Sequence, residues 1–218
     1  TNSLFTVYNT DDAITGVSEY WVKGRIKEGE KVEFIFSGSV TKNLPMIAET
    51  ITVNPNLLGN DDCDAITNEC KTIHAALARI IPSPNSPKII QLPSASTYSV
   101  NTAIPIIDGI SIIGTSDGRS KPKLISSGTD RLFICQDMQN PIVTYRNLEI
   151  RNGKAPNYGD GGAILLDNCS LTFENVDILG NSSEGKGGGM YLVNNSNPHL
   201  KTVKINNNTA GENGGGIY

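Results

Sequence analysis

Aromatic side chains are scarce: one tryptophan, seven tyrosines and five phenylalanines make up 6% of the 218 residues. The hydrophobic content of 38% suffices for a core, but one filled mainly by isoleucine, leucine and valine. No run of 18 apolar residues occurs, so no segment reads as a membrane-crossing helix. The net charge of −4 leaves no case for nucleic acid or acidic lipid as a partner. Only two histidines are present, His74 and His199, and no Cys-x-x-Cys, so a zinc site lacks its ligands. No secretory leader pattern is found. The chain begins at Thr1 without a methionine, which reads as a processed or trimmed segment. It stops at Tyr218 inside a repeat, from which we expect the natural protein to continue with further coils or a cap.

Cysteines number four. Cys63 and Cys70 flank a short polar stretch, and we expect a local disulfide there and hence an oxidising compartment; two unpaired thiols are the alternative. Cys135 and Cys169 lie 34 residues apart, which is not the repeat period described next. They read as buried small hydrophobes, with a bridge left open.

What is abundant is glycine, and it is periodic. Gly161-Gly162-Ala163-Ile164 recurs as Gly188-Gly189-Met190-Tyr191 and as Gly215-Gly216-Ile217-Tyr218, a step of 27 residues both times. Leu148-Glu149-Ile150 recurs as Val176-Asp177-Ile178 and Val203-Lys204-Ile205. Tyr145, Phe173 and Leu200 follow the same steps, and Leu165 is matched with Leu192. Each trio alternates apolar, polar, apolar, which is strand spacing. Three strands of about five residues and three turns of about four fill such a period without room for a helix. The expected fold is therefore all-β: a parallel β-helix, a solenoid of about 27 residues per coil. Right-handed coiling is expected from the general rule for parallel crossovers.

Residues 1–55 lack the period. Phe5-Thr6-Val7-Tyr8, Tyr20-Trp21-Val22, Val32 to Phe36 and Glu49 to Val53 read as strands of a small N-terminal β unit. Residues 56–87 form a turn-rich junction followed by an amphipathic helix over Thr72 to Ile81, stopped by Pro82, which is suited to cap the first coil. Coils are assigned to 88–218, irregular at first and regular from Val143, with the C-terminal end truncated.

Two stretches carry a family resemblance. The order helix 72–77, Ile89-Ile90-Gln91-Leu92, Thr97-Tyr98, Asp108-Gly109-Ile110-Ser111-Ile112-Ile113-Gly114, Pro122 to Ile125 and Asn147 to Gly153 resembles the start of a pectin-lyase-like right-handed β-helix. Residues 150–218 resemble the polymorphic outer-membrane-protein repeat of chlamydial-type adhesins, whose hallmarks are GGA(I/L/V) and FxxN. Gly161-Gly162-Ala163-Ile164 fits the first in full; Ile178-x-x-Asn181 and Ile205-x-x-Asn208 fill the second with Ile in place of Phe. The resemblance implies adhesion, or polysaccharide cleavage by outward carboxylates one coil apart, with Ca²⁺ and a basic residue in lyases.

Read physically, the paired glycines allow tight turns and close stacking, and Asn181 and Asn208 are placed to bond turn backbone or each other across coils. The outward ladder Glu149, Asp177, Lys204 reads as charge pairing rather than a catalytic set. Asp160 and Asp167 read as turn residues, and Asp61-Asp62 lie far from the coils. We therefore expect no catalytic residues and no cofactor or metal. Four Asn-x-Ser/Thr signals at Asn168, Asn181, Asn194 and Asn207 step by 13 residues, near half a coil, and mark candidate glycosylation along two edges. With 23 Asn and 35 Ser plus Thr in the chain, about four such signals arise by chance. The expected role is adhesive or structural, secreted or at the cell surface, with a glycan or protein of the cell surface or matrix, or the chain itself, as partner. The alternatives are a polysaccharide lyase or glycoside hydrolase, and a subunit of an extracellular filament.

Overall fold

A computed structural model describes residues 50–57, 63–64, 67–80, 88–115, 117, 120–138 and 141–218. The N-terminal β unit lies outside these residues except for its last strand, as do parts of the 56–87 junction.

The coils stack as a parallel β-solenoid with three faces. The first face runs through Lys88–Leu92, Ile110–Gly114, the first half of Thr144–Arg151, the first half of Thr172–Leu179, and His199–Lys201. The second runs through Thr97–Val100, Lys123–Ser126, the second halves of the same two long strands, and Lys204–Asn206. The third runs through Ile104–Pro105, Phe133–Gln136, Ile164–Asp167 and Met190–Val193, and Met190 bridges on to Ile217. Side chains alternate in and out, as strand geometry requires. Tyr145, Leu148 and Ile150 are buried while Arg146, Glu149 and Arg151 point outward.

Register turns the inward residues into columns along the axis. One is Ile51, Ile90, Ile112, Tyr145, Phe173, Leu200. A second is Tyr98, Leu124, Ile150, Ile178, Ile205, and a third Ile104, Phe133, Ile164, Met190, Ile217. The few aromatic residues of the core meet at one level: the Tyr145 ring lies 4.5 Å from Phe133 and 5.4 Å from Phe173. Tyr98 donates to the carbonyl of Val53 at 2.9 Å, and burial pushes its hydroxyl pKa up to about 12.

Thr50–Val53 pairs in parallel with Lys88–Leu92 and so is placed with the coils, not with a separate N-terminal layer. Glu69–Cys70 pairs beside it, and Cys63–Asp64 adds an antiparallel edge that carries the Cys63–Cys70 disulfide. The single helix, Ile73–Arg79, starts where Thr72 accepts from the Ala75 amide at 3.0 Å. It ends earlier than its apolar spacing suggests, because Ile80 is already extended. Ile73, Ala76 and Leu77 bury into the core shared with the coils, so the helix packs on the end strand Thr50–Val53.

Two expectations change. Cys135 and Cys169, read as small hydrophobes, are bonded to each other. Cys135 stacks beside Leu166, so the bond runs diagonally from a strand to the corner beyond it, and this offset makes the separation exceed one period. The glycine alignment also shifts by one residue at its first step. Ile164 stacks on Met190, not Tyr191, and Leu165 on Tyr191, not Leu192. The true match is therefore Gly161-Gly162-Ala163-Ile164 on Gly187-Gly188-Gly189-Met190, a step of 26, followed by Met190 on Ile217, a step of 27. Burial decides it: Ile164, Leu166 and Met190 are all inside, and a slip of one residue would turn one strand's set outward.

At Gly162 a Cβ would run into the carbonyls of Gly188 and Ser182, whereas at Gly180 it would meet nothing within 4 Å. Gly162→Ala is expected to lower stability by about 1–3 kcal/mol through overpacking. Gly180→Asn, at a left-handed corner that Asn152 and Asn207 also occupy, should stay within about 0.5 kcal/mol. Urea unfolding of both variants checks the contrast.

Candidate functional site

The polar residues of the regular coils gather at the corners between faces, and there the backbone repeatedly enters the left-handed region. Between the first and second faces this residue is Asn147 (φ 55°), then Asn175 (φ 51°), then Thr202 (φ 55°). Asn147 donates to the carbonyl of Gly114 at 3.1 Å, and Asn175 donates to the side-chain oxygen of Asn147 at 2.9 Å. Asparagine tolerates this conformation better than other side chains. A single such residue therefore bends each long strand from one face to the next. The sequence reading missed this ladder, although its signal lies inside the quoted repeats: Tyr-Arg-Asn, Phe-Glu-Asn and Leu-Lys-Thr at 145, 173 and 200.

The corner after the second face holds two columns. The outward one is Asn152, Gly180 and Asn207, all with positive φ and all exposed. The inward one is Gly153, Asn181 and Asn208. Asn181 is 1% exposed and its oxygen accepts from the Gly153 amide at 2.8 Å. Its own backbone amide donates to the Asn208 side-chain oxygen at 2.9 Å. Its side-chain nitrogen donates to that same oxygen at 2.9 Å and to the Ile150 carbonyl at 3.3 Å. Asn208 repeats the pattern on the Ile178 carbonyl at 3.0 Å. Each amide thus satisfies a backbone group that leaves the sheet ladder at the corner.

At the entry to the third face, Gly161, Gly187 and Gly214 share positive φ. Their neighbours exchange backbone bonds coil to coil, as in Gly162 to the Gly187 carbonyl at 2.9 Å and Gly188 to the Gly214 carbonyl at 3.1 Å. Gly189, Gly215 and Gly216 continue this stack. At the exit, Asp137, Asn168 and Asn194 form a further left-handed column. Asn168 donates to Asp137 at 3.1 Å and Asn194 to Asp167 at 2.7 Å. Asp160 accepts the Lys186 backbone amide at 2.6 Å, so both aspartates cap turns. Arg131 lies inside this wall, donating to the Asp160 carbonyl at 2.9 and 2.6 Å. Burial pulls its pKa down, opposed by Asp130 and Asp160.

The four glycosylation signals separate on this framework. Asn168 and Asn194 stack in one column, while Asn181 and Asn207 sit one place out of phase at the other corner, inward and outward respectively. Asp61-Asp62 lie outside the described residues.

The expected outward ladder is present, with Lys123 on Glu149, Glu149 on Asp177 and Asp177 on Lys204. Each carboxylate on these two faces has a cation: Arg151 at 2.5 Å from Glu149, Lys121 at 2.9 Å from Asp177, and Arg146 at 2.8 Å from Glu174. These pairs are partly exposed and stabilise by roughly 0.2–1 kcal/mol each. From Lys121 onward, the first and second faces carry six cations, Lys121, Lys123, Arg146, Arg151, Lys201 and Lys204, against the three carboxylates Glu149, Glu174 and Asp177. The third face and its corners reverse that ratio, with three cations against six carboxylates. Among the described residues no group of three or more His, Cys, Asp or Glu is placed to hold a metal ion. No helix among them is long and apolar enough to cross a membrane.

Asn181→Ala is expected to cost about 1–3 kcal/mol for the buried backbone groups it leaves unpaired. Asn175→Ala, which removes one exposed amide contact, should cost no more than about 1 kcal/mol. Thermal unfolding of the two variants distinguishes inward from outward asparagine.

No protein-family model, no curated protein and no solved structure matches this chain, so its resemblances stand on the residues quoted for them.

Proposed function

We propose that this chain forms part of a secreted or cell-surface rod with an adhesive or structural role, and that it belongs with pectin-lyase-like solenoids bearing repeats of the polymorphic outer-membrane-protein type. The observation that carries the reading is the use to which the repeated polar residues are put. Corner asparagines bond one coil to the next, and outward carboxylates are held in ion pairs. Such residues stiffen a scaffold. Two disulfides fit an oxidising compartment. The partner would be a glycan or protein of the cell surface or matrix.

A second reading, a filament subunit, draws on the charge segregation. A cationic pair of faces and an anionic third face on one chain are complementary to a second copy, and a contact between unlike surfaces propagates rather than closes. On the remaining reading, cleavage of acidic polysaccharide, Glu149 and Asp177 are the adjacent carboxylates that would act.

The test is release of reducing ends and unsaturated uronides from acidic and neutral polysaccharides, with Ca²⁺ and with chelator, beside binding to cells and matrix. Binding without release is the expected outcome. Sustained release that Glu149→Gln or Asp177→Asn abolishes would overturn the adhesive reading. Sedimentation at low and high salt tests the filament: association should appear at low salt and dissolve at high salt, and a monomer throughout removes that reading.

A further inference from the structure

We infer that Asn207 is an acceptor for an N-linked glycan, and that Asn181, which carries the same sequence signal, is not. This rests on the extracellular reading above. N-glycosylation transfers an oligosaccharide from a pyrophospholipid donor. The bond from the sugar's anomeric carbon to the pyrophosphate breaks, a bond to the asparagine Nδ2 forms, and one amide proton leaves with the pyrophosphate. An acceptor compatible with the folded coil must therefore free one Nδ2 hydrogen and have an open path outward.

Asn181 meets neither condition. Both hydrogens of its Nδ2 are engaged, by Asn208 Oδ1 at 2.9 Å and the Ile150 carbonyl at 3.3 Å, and the residue is sealed inside the corner. Asn168 and Asn194 are intermediate. Each gives one Nδ2 hydrogen to a carboxylate of the preceding coil, and Asn168 is half-buried beside the disulfide-bonded Cys169.

Asn207 meets both conditions. It occupies the outward place of its corner with φ 55°. That openness belongs to the corner: Asn152 and Gly180, at the same place in earlier coils and flanked by coils on both sides, are exposed too. The space is also vacant where it can be probed, since a Cβ at Gly180 meets nothing within 4 Å. Thr209, the hydroxyl residue of the signal, is likewise exposed. The 13-residue step of the signals conceals the difference, because Asn181 stacks on Asn208 whereas Asn207 stacks under Gly180.

The experiment secretes all 218 residues from a eukaryotic host behind an added signal peptide. Enzymatic deglycosylation in heavy-oxygen water then marks each formerly occupied asparagine for peptide mass spectrometry. We expect Asn207 occupied and Asn181 unoccupied in the folded, secreted protein. Asn207→Gln and Thr209→Ala should each remove the Asn207 glycan and leave the β-sheet circular dichroism unchanged. An unmodified Asn207, or a glycan on Asn181, overturns the proposal. Because the signal peptide imposes secretion, such a failure refutes the acceptor geometry alone. The adhesive reading fails separately, in the binding and release assays.

Discussion

In a parallel solenoid every backbone amide must meet a carbonyl of the neighbouring coil, at the corners as well as in the strands. Within the faces the sheet ladder meets this demand. At the corners the chain turns, and the pairing would be lost unless something replaced it. Here the replacement is a small set of left-handed residues stacked on one another, with asparagine amides or close glycine backbones carrying the bonds across. Core columns of Ile, Leu, Val and a few rings supply the apolar burial. The corners fix where each coil begins and ends, so that those columns align.

The strand trios and their faces were legible in the sequence because alternation and a fixed period are direct consequences of strand geometry. The exact register at the third face was not. Gly187-Gly188-Gly189 offers two ways to place a glycine pair, and the pair chosen from spacing was one residue late. Only burial separates the alternatives, since Met190 must face inward under Ile164 while Tyr191 stacks outside on Leu165 and the Tyr218 ring.

Other features escaped for related reasons. The Asn147–Asn175–Thr202 corner was hidden by the substitution of threonine at its third place. The Cys135–Cys169 bond was masked by its diagonal path across two coils. The four glycosylation signals looked equivalent because their even spacing in sequence is not an even spacing around the coil. By contrast, the partners of Asn181 and Asn208 followed from residue chemistry alone, as did the stacking of Glu149, Asp177 and Lys204. A site that is repeated, polar and inward serves the scaffold; what the scaffold presents outward is a pair of charged faces and one glycan-accessible corner.

The central claim is that coil-to-coil register, set by the corners, organises the molecule. Paired cysteines on the outer surface of the third face test it most directly. Leu165→Cys with Tyr191→Cys places two thiols side by side in the observed register, and mild oxidation should link them in the folded protein. Leu165→Cys with Leu192→Cys, the pair implied by the 27-residue spacing, should not link, because Leu192 stacks on Leu166 and faces the core. Linkage of the second pair in preference to the first would contradict the register and, with it, the account of how the corners hold the coils.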